Sequence, residues 1–254
     1  MAANLAVADE LIAEAVARGA RMVALPEYFA LMSPDETARL RACEHEGSGP
    51  VQDFLSETAA RHGVWIIGGT LPLTADAPDK TRNAVLVFDD QGSRVARYDK
   101  IHLFSFEHDK EPYDEAASIE PGARVVCFDS PAGRVGLAVC YDLRFPELFR
   151  AMGIVDLIVL PAAFTYMTGQ AHWETLLRAR AIENQCFLAA AAQGGVHPYG
   201  RRTWGHSMIV DPWGDILACR PEGAGVAVAE LDPAQLAIVR RCLPALNHRR
   251  PELF

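Results

Sequence analysis

The sequence has no Cys-x-x-Cys pair and no dense cysteine framework; its six cysteines stand apart at 43, 127, 140, 186, 219 and 242. That spacing argues against a zinc site and a disulfide scaffold, and predicts reduced thiols, most of them buried. No two of the eight histidines fall four residues apart, and the tightest grouping, His102 and His108, is separated by Phe-rich sequence. A helical metal-ligand pair is therefore missing, and no metal or other cofactor is expected. Basic residues are also scarce. The 24 Lys and Arg against 33 Asp and Glu leave a net charge of −9, which disfavours nucleic acid and anionic membrane surfaces as partners. No stretch approaches the roughly 20 consecutive apolar residues of a spanning helix, and no basic segment leads into an apolar signal core. A cytoplasmic protein with a small-molecule substrate is expected. No linker rich in Pro, Gly or Ser divides the 254 residues, so a single domain over 1–254 with a substantial core is predicted.

What the sequence does contain is an alternation of helical and strand signals. Leu5, Ala8, Ile12, Ala15 and Val16 fall at helical spacing and the pattern stops at Gly19, which predicts an amphipathic helix over 5–17. Residues 22–25 read as a short strand, 51–62 as a helix and 64–68 as a buried strand. A strand over 83–88 turns through Asp89-Asp90-Gln91-Gly92 into another over 93–98. Further on, 125–128 and 134–139 form a hairpin, 155–160 is a strand, 171–184 a helix and 187–192 a strand. Several strands are continuous apolar runs, which indicates an α/β protein whose sheets are covered by helices. Residues 85–92 echo 208–214, each an apolar strand ending in Asp and turning through Gly; this is either internal symmetry or a pattern common to hairpins.

Three residues at strand ends could do chemistry. Cys140 follows the apolar run Val135-Gly136-Leu137-Ala138-Val139 and precedes Pro146. A strand-to-helix elbow there would expose a nucleophile beside helix N–H groups that favour thiolate and can hold an oxyanion. A buried structural thiol is the equal alternative. Glu27, in Leu-Pro-Glu-Tyr-Phe, is either a desolvated carboxylate able to take a thiol proton or a solvated surface charge. Lys100, in Tyr-Asp-Lys-Ile-His-Leu-Phe, is either a cation hemmed in by aromatics that stabilises an oxyanion or an ordinary solvated lysine.

The segments at 25–29, 98–104 and 140–147 (Cys-Tyr-Asp-Leu-Arg-Phe-Pro-Glu) together resemble the three signature blocks of the nitrilase-like carbon–nitrogen hydrolases, in the same chain order. That resemblance covers essentially the whole chain and implies an α-β-β-α sandwich and acyl transfer through a cysteine thioester. It implies Cys140 as nucleophile, Glu27 as general base and acid, and Lys100 with the backbone N–H of Tyr141 as oxyanion stabilisers. Tyr113-Asp114-Glu115, followed by Pro121-Gly122, is similar to the family's second glutamate motif and implies that Glu115 supports Lys100. A homodimer or larger homo-oligomer is also implied.

The blocks at 168–183, 199–214 and 248–253 resemble the family branch that hydrolyses deaminated glutathione, which implies an α-keto acid amide substrate released as 2-oxoglutarate and cysteinylglycine. Arg144 is the candidate cation for the substrate carboxylate, with Phe164 beside the substrate; a structural pairing of Arg144 with Asp142 or Glu147 is the alternative. Arg178, Arg180 and Glu183 suit ion pairs that support the fold or a subunit contact, and His206 and Trp213 suit core or turn packing. Rival functions are an ω-amidase, an N-carbamoyl amino acid hydrolase, or a non-catalytic scaffold of the same fold. Family members begin with an extra strand before the first helix, whereas this sequence starts on that helix with Met1-Ala2-Ala3-Asn4. The expectation is a misassigned start, with a valine initiation codon read as Met1.

Overall fold

The computed structural model describes residues 1–33, 35–106 and 113–253, so His108 lies outside the described residues. Helix α1 (Ala2–Ala17) leads into the first sheet, made of β1 (Met22–Ala24), β2 (Trp65–Ile67), β3 (Leu71–Thr74), β4 (Thr81–Phe88) and β5 (Arg94–Asp99). Between β1 and β2 lie α2 (Glu36–Arg41) and α3 (Pro50–His62). After a two-stranded ribbon, β6 (Ser105–Phe106) with β7 (Tyr113–Asp114), the chain builds a second sheet. Its strands are β8 (Cys127–Ser130), β9 (Gly133–Leu137), β10 (Leu157–Ala162), β11 (Phe187–Ala192), β14 (Ser207–Val210) and β15 (Ile216–Arg220), in the order β15-β14-β11-β10-β9-β8. The hairpin β12 (Gly194–Val196) and β13 (Arg202–Trp204) interrupts it, and α4 (Pro146–Ala151), α5 (Tyr166–Asn184) and α6 (Pro233–Cys242) complete the elements that bear on the site.

The reason β4 reads as an unbroken apolar run is that both its faces are covered. Val85 and Val87 point between the sheets and join one core with Val135, Leu137 and Val159. Ala84, Leu86 and Phe88 point the other way and pack with Ile12 of α1 and Leu55 and Ala59 of α3. Trp173, Leu177 and Ala181 of α5 close the opposite side. The layers are therefore helix, sheet, sheet, helix, as expected of strands buried on two faces.

The echo between residues 85–92 and 208–214 is structural. Asp89 Oδ1 accepts the N–H groups of Gln91 and Ser93 (3.0 and 2.8 Å), and Asp211 Oδ1 accepts those of Trp213 and Asp215 (2.9 and 2.8 Å). Each strand bulges just before its aspartate, between Val87 and Phe88 and between Ile209 and Val210. The two sheets share connectivity: a parallel pair (β1 with β2, β10 with β11), then an antiparallel strand and a hairpin partner. Their crossover helices end alike, α3 at Gly63 (φ 60°) and α5 at Gln185 (φ 47°), each in the left-handed conformation two residues before the next strand. A further echo was legible but not drawn from the sequence: Leu25-Pro26-Glu27-Tyr28-Phe29 after β1 matches Leu160-Pro161-Ala162-Ala163-Phe164 at the end of β10.

Two expectations are corrected. Helix α5 starts at Tyr166 rather than near 171, because Gly169, which resembles a helix breaker, is a contact: a Cβ there would lie 2.3 Å from Trp204 Cβ. Of the cysteines only Cys140 and Cys186 are buried; Cys43 and Cys127 are half-buried, Cys219 and Cys242 exposed, and all six are free thiols. Of the two readings for Trp213 the turn is the one found: its N–H donates to Asp211 Oδ1 there, and the residue is 59% exposed. Arg178 and Arg180 do pair within α5, with Glu174 (3.3 Å) and Glu183 (2.9 Å).

Candidate active site

Strands β1, β5 and β9 lead to Glu27, Lys100 and Cys140; Glu27 and Cys140 line one cleft, Lys100 is bound to Glu27 behind it, and none of the three side chains is more than slightly exposed. Glu27 follows Pro26, whose carbonyl sits so close to Gly69 (φ 57°) that a Cβ at Gly69 would approach within 2.2 Å. That close approach requires glycine. The Glu27 carboxylate is buried but fully engaged. Its Oε1 accepts from Lys100 Nζ and Asn83 Nδ2, both at 2.9 Å, and its Oε2 accepts the Ala163 N–H at 2.9 Å.

Lys100 is completely buried rather than solvated. Its ammonium bridges two carboxylates, Glu27 Oε1 at 2.9 Å and Glu115 Oε2 at 2.7 Å. Burial by itself would push its pKa down, but Glu115 and Glu27 outweigh that and hold it well above the ordinary lysine value. Glu115 is fixed in turn: Oε1 accepts from the Tyr28 hydroxyl (2.9 Å) and Oε2 also accepts the Phe104 N–H (2.8 Å). Each carboxylate orients the same ammonium from one side, which is what a pre-organised oxyanion donor needs.

Cys140 opens a five-residue 3-10 turn, Cys140–Arg144, after β9, with φ at +49°. A non-glycine residue there is held at a cost of about 1–3 kcal/mol. Asp142, wholly buried, supplies the constraint. Its Oδ2 accepts from Tyr98 Oη (2.7 Å) and the Val139 N–H (2.8 Å), and its Oδ1 from the His102 N–H (3.0 Å), with His102 Nδ1 at 2.7 Å. One carboxylate thus ties the cysteine elbow to the strand and loop that carry Lys100. Burial, and then the Glu27 anion, push the Cys140 thiol well above the ordinary cysteine value, with Lys100 acting in the opposite direction. The expected helix-favoured thiolate is therefore replaced by a resting thiol beside a carboxylate base. Tyr141 follows in the first turn, where backbone N–H groups lack intrahelical partners.

Arg144 and Phe164 line the same cleft, of about 310 Å³, together with Tyr28, Thr165 and Arg201. Arg144 pairs with neither Asp142 nor Glu147: among the described residues it makes no ion pair, and its Cζ lies 5.3 Å from the Phe164 ring centroid and 5.9 Å from that of Tyr141. Its Nη1 is 3.2 Å from His172 Nδ1. Sequence reasoning missed Asn83, Tyr28, Asp142, Arg201 and the Ala163 N–H. Tyr28, Asp142 and Arg201 sat inside the recognised blocks, whereas Asn83 and Ala163 did not. Among the described residues no cluster of three or more His, Cys, Asp or Glu side chains could hold a metal ion, and no helix is long and apolar enough to cross a membrane.

Comparison with known proteins bears on this geometry. The carbon-nitrogen hydrolase family model matches residues 1–241. A deaminated glutathione amidase of Yersinia enterocolitica is 42% identical, over 97% of this chain and 87% of that protein. The crystal structure of the C. elegans NitFhit protein superposes with a TM-score of 0.87 at 37% identity, covering 99% of this chain and 62% of that longer one. An amidase variant from Nesterenkonia sp. AN1, with acrylamide added at its active-site cysteine, gives a TM-score of 0.78 at 27% identity, covering 98% and 91% of the two chains.

Proposed function

The chain belongs to the carbon–nitrogen hydrolase family, and from that premise we propose that it is an amidase acting through a thioester on Cys140, with deaminated glutathione as substrate. The observation that carries the reading is that Glu27 and Cys140 share one cleft from the ends of two strands, with the Lys100 ammonium at the end of a third held on the Glu27 carboxylate. The substrate follows from the similarity to a protein of that activity.

In this mechanism Glu27 takes the Sγ proton as the thiol attacks the amide carbonyl. The oxyanion of the tetrahedral intermediate is held by the Lys100 ammonium and the Tyr141 N–H. Glu27 then gives its proton to the departing amine, leaving the acyl group on sulfur. Water enters, Glu27 removes its proton, and the second tetrahedral intermediate collapses to the free acid and the Cys140 thiol. Glu115 keeps Lys100 charged and aimed throughout. Arg144 above Phe164 receives the α-keto acid carboxylate of the acyl half, a charge-assisted contact suited to a guanidinium.

Mass spectrometry of protein quenched during turnover tests this, with an α-ketoglutaryl adduct expected on the Cys140 peptide. Turnover by C140A at the wild-type rate would overturn it. The protein works in the cytoplasm, where its six free thiols suit a reducing compartment. It assembles as a homodimer, a reading supported by the exposed Ile182, which packs on Gly214, and by the exposed Trp213 that precedes that glycine.

A further inference from the structure

The base has two oxygens, and their hydrogen bonds set them apart. An ionised carboxylate offers about two acceptor positions on each oxygen. On Glu27 both positions of Oε1 are taken, by Lys100 Nζ and Asn83 Nδ2 at 2.9 Å each. Oε2 accepts the Ala163 N–H at 2.9 Å and, among the described residues, keeps its second position open. That N–H also serves the nucleophile. Burial and then Glu27 raise the Cys140 thiol, and the Ala163 N–H, as a hydrogen-bond donor to the sulfur, is among the groups that act the other way. One donor thus faces both Oε2 and Sγ.

Asn83 lies inside β4, is buried and does not line the cleft. Its backbone carbonyl accepts the Lys100 N–H (3.0 Å) while its side chain donates to Glu27, so one residue fixes the base and the ammonium relative to each other. Nδ2 also lies 3.2 Å from Tyr28 Oη, which donates to Glu115 Oε1 (2.9 Å), and Glu115 Oε2 returns to Lys100 Nζ (2.7 Å). Glu27, Asn83, Tyr28, Glu115 and Lys100 therefore form a closed ring, in which each bond polarises the next. Asn83 Oδ1 is left buried with no hydrogen-bond partner among the described residues. Turned over, the amide would set that oxygen against the Glu27 carboxylate, so the contact of Nδ2 with Oε1 outweighs an orphaned acceptor.

We propose that Asn83 is a positioning residue for the reaction: by occupying Oε1 beside Lys100, it leaves Oε2 as the one oxygen that carries the catalytic proton. The proton that leaves Sγ goes to Oε2 as the C–S bond forms, and passes to the amine nitrogen as the C–N bond breaks. In the second half one proton of the attacking water goes to Oε2 and passes to Sγ as the C–S bond breaks. The proposal rests on the reading of Glu27 and Cys140 as an amidase pair.

The test follows kcat and KM for deaminated glutathione from about pH 5 to about pH 9 in wild type, N83L and N83D. Because Lys100 bonds the backbone carbonyl at this position, either replacement changes the carboxylate contact and keeps that strand pairing. In N83L the donor is gone: kcat is expected to fall about 10- to 100-fold, the worth of one hydrogen bond to a charged group, with KM within about twofold of wild type. The ratio of N83L to wild-type kcat stays flat across pH. In N83D the introduced carboxyl donates to Glu27 only while it holds a proton, so its kcat relative to wild type climbs toward acid by up to about tenfold per pH unit. An asparagine with a purely structural role would leave both variants with the wild-type pH dependence. Wild-type kcat in N83L, or a ratio for N83D that does not change with pH, would overturn this assignment alone. Absence of turnover and of any acyl adduct on Cys140 in wild type would overturn the proposed function and this assignment with it.

Discussion

Replacing Asp142 by alanine tests how the cysteine elbow is held. The carboxylate is completely buried and accepts from Tyr98 Oη and the Val139 N–H on one oxygen, and from the His102 N–H on the other. His102 is partly exposed, so water can replace its lost acceptor; Tyr98 and Val139 are wholly buried and cannot be rescued that way. Each stranded buried donor costs about 1–3 kcal/mol, which puts D142A about 2–6 kcal/mol below wild type. For a chain of this size each kcal/mol lowers the melting point by about 2–4 °C, so a fall of about 4–24 °C is expected by calorimetry. D142N retains one carbonyl oxygen for His102 but turns an amide toward the Val139 N–H, and about half the loss is expected. Because Cys140 keeps its φ of +49° only while the elbow is tied, kcat should fall in both variants more than KM rises. A D142A protein that melts within 2 °C of wild type would refute the argument.

Other consequences can be checked alongside it. In E27Q the anion that raises the Cys140 thiol is gone, so the pH profile of iodoacetamide alkylation at Cys140 should move to lower pH even as turnover is lost; an unmoved profile would show that Glu27 does not set the thiol. K100M leaves two buried carboxylates without their cation, which costs about 3–5 kcal/mol. Urea melts should show the deficit at neutral pH and a smaller one in acid, where protonation relieves the stranded charges. In wild type the raised Lys100 pKa means that its contribution is complete below the unfolded lysine value of about 10.4 and fades only as pH climbs through the folded one. Cys186, pushed up to about 12 by burial, should stay unlabelled at pH 9 until the chain unfolds, whereas the exposed Cys219 and Cys242 label at once. Loss of activity should therefore track modification of Cys140 and not the first thiol to react.

The site was legible where chemistry resides in side-chain identity at a strand end. Glu27 and Cys140 each follow an apolar run and Lys100 follows the charge-bearing strand β5, and their order along the chain made the set specific. Glu115 was legible by resemblance alone, since a glutamate in a loop carries no periodicity. The remainder was hidden for separate physical reasons. Ala163 acts through a backbone N–H, which leaves no trace in residue type. Asn83 lies inside β4, where a polar residue reads as an interruption, yet its amide caps Glu27. Arg201 comes from a hairpin whose glycine-rich strands hid its pairing, and Gly169, needed for that hairpin's close approach to α5, disguised the start of the helix. The layers of the fold were clearer, because strands buried on both faces cannot alternate.

The matching turns and shared connectivity of the two sheets carry a consequence for how this site can change. The segment after β1 and the segment at the end of β10 are counterparts, Leu25-Pro26-Glu27 facing Leu160-Pro161-Ala162. Only one copy bears an acid; the other lends the neighbouring amide of Ala163 to hold it. The halves thus differ in what they hold: the first carries Glu27 and Lys100, while the second carries Cys140 and, through Phe164 and the β12/β13 hairpin, walls the cleft. Amino-acid changes at Phe164 and in the β12/β13 hairpin can reshape which amide fits while Glu27, Lys100 and the Cys140 elbow stay in place, so new specificities in this architecture should arise there first.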